Sequence, residues 1–177
     1  GDHRDLHLSL RRQRQMCIRD RALGSGIECV VEITSIAKGP NLKLLSKKIP
    51  ILQSYNMSVG INVLLKILVQ NIDYFQSTDI EITEKHHKKK IDSPSGTAIL
   101  MANTIRTSSK RKSEINITSI RKGDSVGEHT LASFGDKENI FITHEALDRS
   151  IFAVGALVMG RKLIKRRKGF YSILDLL

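Results

Sequence analysis

Tryptophan is absent from this chain of 177 residues, and the aromatic side chains Phe, Tyr and Trp together make up only 5% of it. Single-stranded nucleic acid is usually bound by aromatic side chains interleaved with basic ones, so this scarcity weighs against such a module. Cysteine is also scarce: Cys17 and Cys29 offer neither metal-type spacing nor a disulfide framework, and we expect a reducing, cytoplasmic setting.

Long apolar runs are missing as well. The longest candidates, at 61–69 and 151–160, fall well short of the roughly 20 residues that a membrane-spanning helix needs. The N-terminus is polar and arginine-rich, which is not typical of a secretory signal. We therefore expect no membrane association.

Basic residues are abundant: 29 Lys and Arg against 18 Asp and Glu give a net charge of +11. Such a balance favours an anionic partner, which could be nucleic acid, a phosphate-bearing cofactor or a carboxylate substrate. Charge alone does not choose among these classes. A basic nucleic-acid-binding module is therefore one alternative, and it predicts RNA affinity that falls steeply with salt.

The first 21 residues differ in character from the rest. Residues 1–21 have no clean hydrophobic period, and "SLRRQRQMCIRDR" resembles translated sequencing-adapter sequence. We interpret 1–21 as a non-native or disordered segment, with a basic nucleic-acid-binding arm as the alternative.

Hydrophobic patterning predicts an α+β fold for the remainder. A strand at "IECVVEI", a helix at "NLKLLSKK" and a strand at "IPILQS" form a βαβ-like step. One helix is expected over 56–75, capped by Asn56 or Ser58, and another over 96–108. The stripes expected to be buried on these helices are Val59, Val63, Leu64, Ile67 and Leu68, and Ala98, Ile99, Ala102 and Ile105.

Strands are predicted at 78–84, with Ile80 and Ile82 on one face, and at "INITSIR", "EHTLASF" and "NIFITHEA". A hairpin-type turn at 122–127 is expected between the first two of the latter three. A last helix covers 148–165. The expected architecture is thus a mixed sheet with one face covered by helices, beside a small βαβ unit that belongs to something larger.

The stretch "EKHHKKKIDSPSGTA", residues 84–98, concentrates side chains that can carry chemistry. A histidine can donate or accept a proton near neutral pH, and nearby lysines should lower its pKa. Gly96 and Thr97 begin a helix, whose N-terminus offers free N–H groups and a positive dipole end to an anion. Lysines and this helix start together suggest a carboxylate-binding site. A solvated basic loop with an ordinary turn explains the same residues about equally well.

A metal site is the weaker interpretation of these histidines. Adjacent residues of an extended chain point to opposite sides, so His86 and His87 are poorly placed to share one ion. His129 and His144 lie on other predicted strands, but no HxH or HExxH spacing supports them as ligands. We predict no metal.

The pattern E-x-HH-x-x-K-x-D-x-PSGTA resembles the substrate loop of the 4-hydroxy-tetrahydrodipicolinate reductase family, an enzyme family of the diaminopimelate route to lysine. The similarity continues in "NMSVGINVLLKIL", "SIRKGDSVGEHTL" and "ITHEALDRSIFAVGAL". It implies hydride transfer from NADPH or NADH to a cyclic dicarboxylate imine, and a homotetramer formed by the substrate domains. It also divides the chain into 22–56, the remnant of a Rossmann-type nucleotide-binding domain; 57–150, the substrate-binding and oligomerisation domain; and 151–177, a helix and tail returning to the nucleotide-binding domain.

The same resemblance assigns residue roles. His86 would be the general acid–base and Lys90 the proton donor, while Arg149 would lie near the hinge and cofactor. The remaining assignments are to substrate binding (His87, Ser95, Gly96, Thr97) and to cofactor binding (Ser54, Tyr55, Asn56, Met57). The family's strand–GxxGxxG–helix does not occur in this sequence, and its "GTTG"-type turn is not recognisable at 32–37. We therefore expect an N-terminally truncated reductase with weak or no turnover, or an inactive fragment that binds only the dicarboxylate.

Overall fold

The computed structural model describes residues 29–32, 42–109 and 115–177. Within these ranges the elements follow one another as β1 (Cys29–Glu32), α1 (Leu42–Leu45), β2 (Pro50–Ser54), α2 (Val59–Gln70), α3 (Ile72–Phe75), β3 (Asp79–His86), α4 (Gly96–Ser108), β4 (Asn116–Arg121), β5 (Gly127–Phe134), β6 (Asn139–Ala146), α5 (Ser150–Leu163), β7 (Gly169–Tyr171) and a 3-10 turn (Ile173–Asp175). The segment predicted as non-native, 1–21, and most of the expected cofactor turn, 33–37, lie outside the described residues.

The larger sheet is mixed, in the order β4-β3-β5-β6. Strand β3 runs parallel to β4 and antiparallel to β5, and β5 is antiparallel to β6. Burial alternates strictly along β3, where Ile80, Ile82, Glu84 and His86 face inward. Helices α2 and α4 cover that face with one apolar cluster. The predicted α+β architecture, a mixed sheet covered by helices on one face, is confirmed.

The turn at 122–127 is not a hairpin, because β3 lies between β4 and β5. The backbone of this turn instead bonds to the histidine-lysine loop: His87 N–H donates to the Ser125 carbonyl at 2.8 Å, and Lys122 N–H to the His86 carbonyl at 3.0 Å. The hairpin joins β5 and β6 through residues 135–138. Turn-type residues show that a chain reverses, but they do not show which strand it pairs with next.

The helix predicted over 56–75 is two helices, α2 and α3, which meet at Asn71. Of the two cap candidates, Ser58 is the N-cap of α2, and its hydroxyl accepts from Ile61 N–H. The predicted stripe was partly wrong, since Val63 and Ile67 are about 40% exposed. The buried residues are Ile61, Asn62, Leu64, Leu65 and Leu68. A helix that is apolar nearly all round does not reveal by period alone which face packs inward.

Helix α4 shows a smaller error of the same kind. Ile99 is 43% exposed, while Met101, outside the predicted stripe, is fully buried. Ala98, Ala102 and Ile105 are buried as predicted.

The smaller sheet has the order β1-β2-β7 and is parallel throughout. This confirms the predicted βαβ-like step from β1 to β2. Helix α5 packs on it around Met57, Met159 and Leu163. Gly155 permits the closest approach: a Cβ there would lie 1.9 Å from the Met57 carbonyl oxygen. The domain boundaries at 56/57 and 150/151 remain predictions. None of the helices within the described ranges has the length and apolar character that crossing a bilayer requires.

Candidate active site

A buried carboxylate anchors the candidate site. Glu84, near the end of β3, is fully buried, and both of its oxygens accept from Arg121 of β4 (Nη1 to Oε2 2.8 Å, Nη2 to Oε1 2.7 Å). Glu84 also accepts the Ser95 N–H at 3.2 Å and bonds to His86 Nδ1. Burial by itself raises the pKa of Glu84, but the hydrogen bonds from Arg121 and His86 outweigh it and lower this pKa to about 2. The carboxylate is therefore ionised at neutral pH.

His86, the predicted acid–base group, follows on the same face of β3. It is almost fully buried, and burial is the main cause that lowers its pKa; the charges of Lys90 and Arg121 act in the same direction, and Glu84 opposes them. The predicted direction is confirmed, although lysine repulsion is the smaller cause. Its Nε2 faces Gly127, where a Cβ would approach to 3.0 Å. A glycine at 127 therefore lets this nitrogen lie close against the backbone of β5.

The histidine-lysine loop carries the remaining cations. The Lys90 ammonium pairs with Asp92 at 2.8 Å, and His87 Nε2 lies 3.1 Å from Arg149 Nη2. His86 and His87 do point to opposite sides: one is buried and the other is half-buried. The contact with Arg149, just before α5, places His87 beside the residue that we expected near the hinge.

Helix α4 begins at the same place. Ser95 is its N-cap, with a hydroxyl that accepts from Ala98 N–H at 3.2 Å and lies 3.0 Å from His129 Nε2. Gly96 has nothing within 4 Å of where a Cβ would stand, so this helix start is open. Thr97 Oγ1 accepts from Asn56 Nδ2 at 2.9 Å. Because the Ser95 N–H and His86 both bond to Glu84, the structure places the start of α4 next to His86.

The predicted cofactor segment, 54–57, begins at the last residue of β2, and most of its contacts are internal hydrogen bonds and core packing. Ser54, Asn56 and Met57 are buried. The Asn56 carbonyl accepts from the Ser54 hydroxyl and from Asn62 Nδ2, each at 2.8 Å. Tyr55 is the exception, being 56% exposed. Its position at the carboxyl end of a parallel strand is where nucleotides bind in such sheets.

The described residues offer contacts for one end of a dinucleotide only. Three of the four side chains in segment 54–57 are buried, and the sequence has no GxxGxxG turn to hold a pyrophosphate. Tyr55 fits only the nicotinamide end of such a cofactor.

Sequence reasoning missed the roles of three residues. Glu84 belonged to the recognised pattern but was given no role. Arg121 and His129 were not assigned to the site at all. In the sheet, Glu84 pairs with His129, and His129 pairs with His144. Burial lowers the pKa of His129 to about 4. A usable signal was present for Glu84 and His86, since the alternation through Ile80 and Ile82 continues to both.

The site combines an open helix N-terminus with a buried, titratable histidine, an arrangement that suits an anion and a proton transfer. Among the described residues no group of three or more His, Cys, Asp or Glu side chains is placed to hold an ion. A carboxylate at the open start of α4 would meet free N–H groups and the positive end of the helix dipole.

Comparison with known proteins bears on these residues. Residues 60–177 match the family model described as "Dihydrodipicolinate reductase, C-terminus". A 4-hydroxy-tetrahydrodipicolinate reductase of Thermosipho africanus is 42% identical over 136 residues, which cover 77% of this chain and 60% of that protein. One of Archaeoglobus fulgidus is 37% identical over 176 residues, which cover 88% and 68%.

A solved structure shares the fold. It is described as dipicolinate-bound dihydrodipicolinate reductase from Paenisporosarcina sp. TG-14 and superposes with a TM-score of 0.77 at 20% sequence identity, covering 94% of this chain and 71% of that one. The chain spans about 60% of the length of three of the curated relatives that it matches. On the family model and these relatives, the chain belongs to the dihydrodipicolinate reductase family, also named 4-hydroxy-tetrahydrodipicolinate reductase.

Proposed function

We propose that this chain supplies the substrate-binding and proton-delivering part of an NADPH- or NADH-dependent 4-hydroxy-tetrahydrodipicolinate reductase of lysine biosynthesis. One observation carries the proposal: Glu84 binds both His86 and the N-cap Ser95, so a titratable histidine and an open helix N-terminus share one anchor. A solvated basic loop would not need a buried carboxylate beneath it.

The candidate substrate is a cyclic dicarboxylate, and separate residues are assigned to bind its two carboxylate groups. We assign the carboxylates to the N–H groups at Gly96 and Thr97, to the Ser95 end of the loop and to His87. Lys90 lies in the same loop, and its side chain is only 22% exposed. Solvent therefore screens its charge less than that of a fully exposed lysine. This matches the dipicolinate-bound state for which the related Paenisporosarcina structure is named.

After or with loss of the 4-hydroxyl group as water, NADPH or NADH would supply a hydride to one carbon of the ring double bond conjugated with the imine. The electron pair left on the neighbouring ring carbon must then take up a proton. Lys90 is assigned as the proton donor to the reduced ring, and His86 as the general acid–base group. The cations around them stabilise the negative charge as it develops. Ser54–Met57 would face the nicotinamide, with Tyr55 as the exposed contact.

The first test is binding of dipicolinate to the whole chain, measured by calorimetry. Lys90→Ala should weaken binding by about 10- to 100-fold, the equivalent of one lost charge-assisted hydrogen bond. Lys89→Ala is the matched control, since it removes the same charge from an exposed position one residue away. Equal losses in both variants, or no saturable binding by the unaltered chain, would remove the proposal.

A second measurement separates the enzyme from the alternatives. Oxidation of NADPH in the presence of substrate, lost on His86→Ala, would show a working reductase. Binding of dipicolinate without turnover would show a dicarboxylate-binding fragment. The nucleic-acid alternative predicts instead that RNA protects the chain against heat, with an affinity that falls steeply as salt rises.

The open face of the larger sheet supports a further part of the proposal, a homotetramer. On that face Phe134 and Phe141 stack edge to face with centroids 6.1 Å apart, and Phe141 is 62% exposed. Copies of the chain that meet through this face would cover these rings. Light scattering should give the mass of four chains, and Phe141→Asp should reduce it; a monomer at all concentrations would contradict the assignment. We also place the protein in the cytoplasm, in keeping with its two cysteines.

A further inference from the structure

The ion pair of Glu84 and Arg121 lies beneath the candidate site and touches each of its parts. Arg121 donates to both oxygens of Glu84 and, through Nη2, to the Asp92 carbonyl at 2.6 Å. The same carboxylate binds His86 Nδ1 and the Ser95 N–H. One buried pair thus contacts the strand that bears the histidine, the loop that bears Lys90 and the first residue of the α4 cap.

A fully buried carboxylate that accepts a bidentate guanidinium has no spare proton to donate. The proton in its bond to His86 must therefore be on the imidazole Nδ1. A neutral histidine with Nδ1–H has its lone pair on Nε2. That nitrogen is the one that lies against Gly127 of β5, where the missing side chain leaves room for it.

We propose that Glu84 and Arg121 are positioning residues that hold His86 in the Nδ1–H tautomer, which leaves the lone pair on Nε2, and that fix this imidazole relative to the helix N-terminus at Ser95. The proposal rests on the proposed function for its meaning in catalysis. The tautomer itself is a property of the chain without ligand, and it can be measured whether or not the chain is a reductase.

Neighbours of opposite charge surround His86, so replacing an acidic and a basic one should have opposite effects on its pKa. The charged or titratable groups that act on it are Glu84 on its own strand, Arg121 on β4, His129 on β5 and Lys90 in the loop. Of these, Glu84 raises the pKa of His86, whereas Arg121 and Lys90 lower it. Loss of Glu84 and loss of Arg121 should therefore move the titration of His86 in opposite directions. These shifts test whether both charges act on the imidazole, and the tautomer tests whether Glu84 orients it.

The experiment is nitrogen-15 NMR of the histidine side chains in the whole chain, with His86 assigned through His86→Gln. In the unaltered protein above the pKa of His86, we expect a protonated Nδ1 and an unprotonated Nε2. An Nε2–H tautomer would overturn the proposal. This first measurement needs no destabilising variant.

The variants Glu84→Gln and Arg121→Gln provide the second measurement. Glu84→Gln should mix the tautomers, since an amide can donate as well as accept, and should lower the pKa of His86; Arg121→Gln should raise that pKa. Glu138→Gln, in the β5–β6 turn at the far end of the sheet, should change neither. Shifts of the same sign in both site variants would overturn the proposal.

Dipicolinate binding by the same samples separates the two proposals. If the unaltered chain shows the Nδ1–H tautomer and opposite shifts but does not bind dipicolinate, the positioning pair stands and the proposed function fails. If it binds dipicolinate with the other tautomer, the reverse holds.

Discussion

Glu84→Gln should cost the folded chain about 3 kcal/mol near neutral pH, and this cost should disappear in acid. The buried carboxyl has a pKa of about 2 against an ordinary value of 4.5. At about 1.4 kcal/mol per pKa unit, this difference corresponds to about 3 kcal/mol of unfolding free energy. Removing one partner from a buried ion pair typically costs about 3–5 kcal/mol, and the two magnitudes agree.

The sign follows from the lowered pKa. Because the folded state holds this carboxyl ionised while the unfolded chain protonates it near pH 4.5, the stabilisation is complete above about pH 4.5. It is lost progressively as the pH falls towards about 2. The glutamine variant lacks the titrating group, so the difference between the two proteins should shrink across this window.

Urea unfolding of both proteins, followed by circular dichroism at about pH 6 and about pH 3, measures that difference. By about pH 3 more than half of it should be gone. Glu138→Gln, which replaces an exposed carboxyl, serves as the control and should leave the stability nearly unchanged. A gap between Glu84→Gln and the unaltered chain that is equally large at both pH values would refute the assignment of an ionised, stabilising Glu84.

Three further predictions follow from other contacts. Gly155→Ala should destabilise the chain by about 3 kcal/mol or more in urea unfolding, because the new Cβ would lie 1.9 Å from the Met57 carbonyl; an unchanged midpoint would contradict this packing. His129→Gln should remove a loss of stability between about pH 6.5 and about pH 4, since burial keeps this histidine neutral when folded; pH-dependent melting that is the same in both proteins would argue against it. Asp92→Asn should strengthen dipicolinate binding by up to about fivefold in calorimetry, because it frees Lys90 from a carboxylate 2.8 Å away; weaker binding would assign Asp92 a supporting role instead.

Local sequence patterns predicted most of the elements because period and turn chemistry are local properties. The alternation in β3 and the Ser58 cap of α2 came directly from such patterns. The faces of α2 and α4 were harder. Val63, Ile67 and Ile99 are as apolar as their buried neighbours, so only the position of the sheet decides that they face outward.

Local patterns could not predict which strands pair with each other, for a related reason. The segment 122–127 has the composition of a hairpin turn, yet it passes the end of β3 and bonds to the histidine-lysine loop. The choice between pairing β4 with β5 and inserting β3 between them depends on contacts between residues distant in sequence. The order β4-β3-β5-β6 is therefore a property of the assembled fold.

The site divides in the same way. The sequence alone, through the pattern at 84–98, determined the family resemblance, the acid–base candidates His86 and Lys90, and the helix start at Gly96. Only the tertiary structure joined these to Arg121 and His129, which lie 26 or more positions beyond Ser95. It also joined them to Asn56, which follows β2 of the smaller sheet and donates a hydrogen bond to Thr97. The physical reason is that a buried carboxylate must be matched by whichever charges the folded sheet brings beside it, and strand register, rather than proximity in the chain, selects those partners.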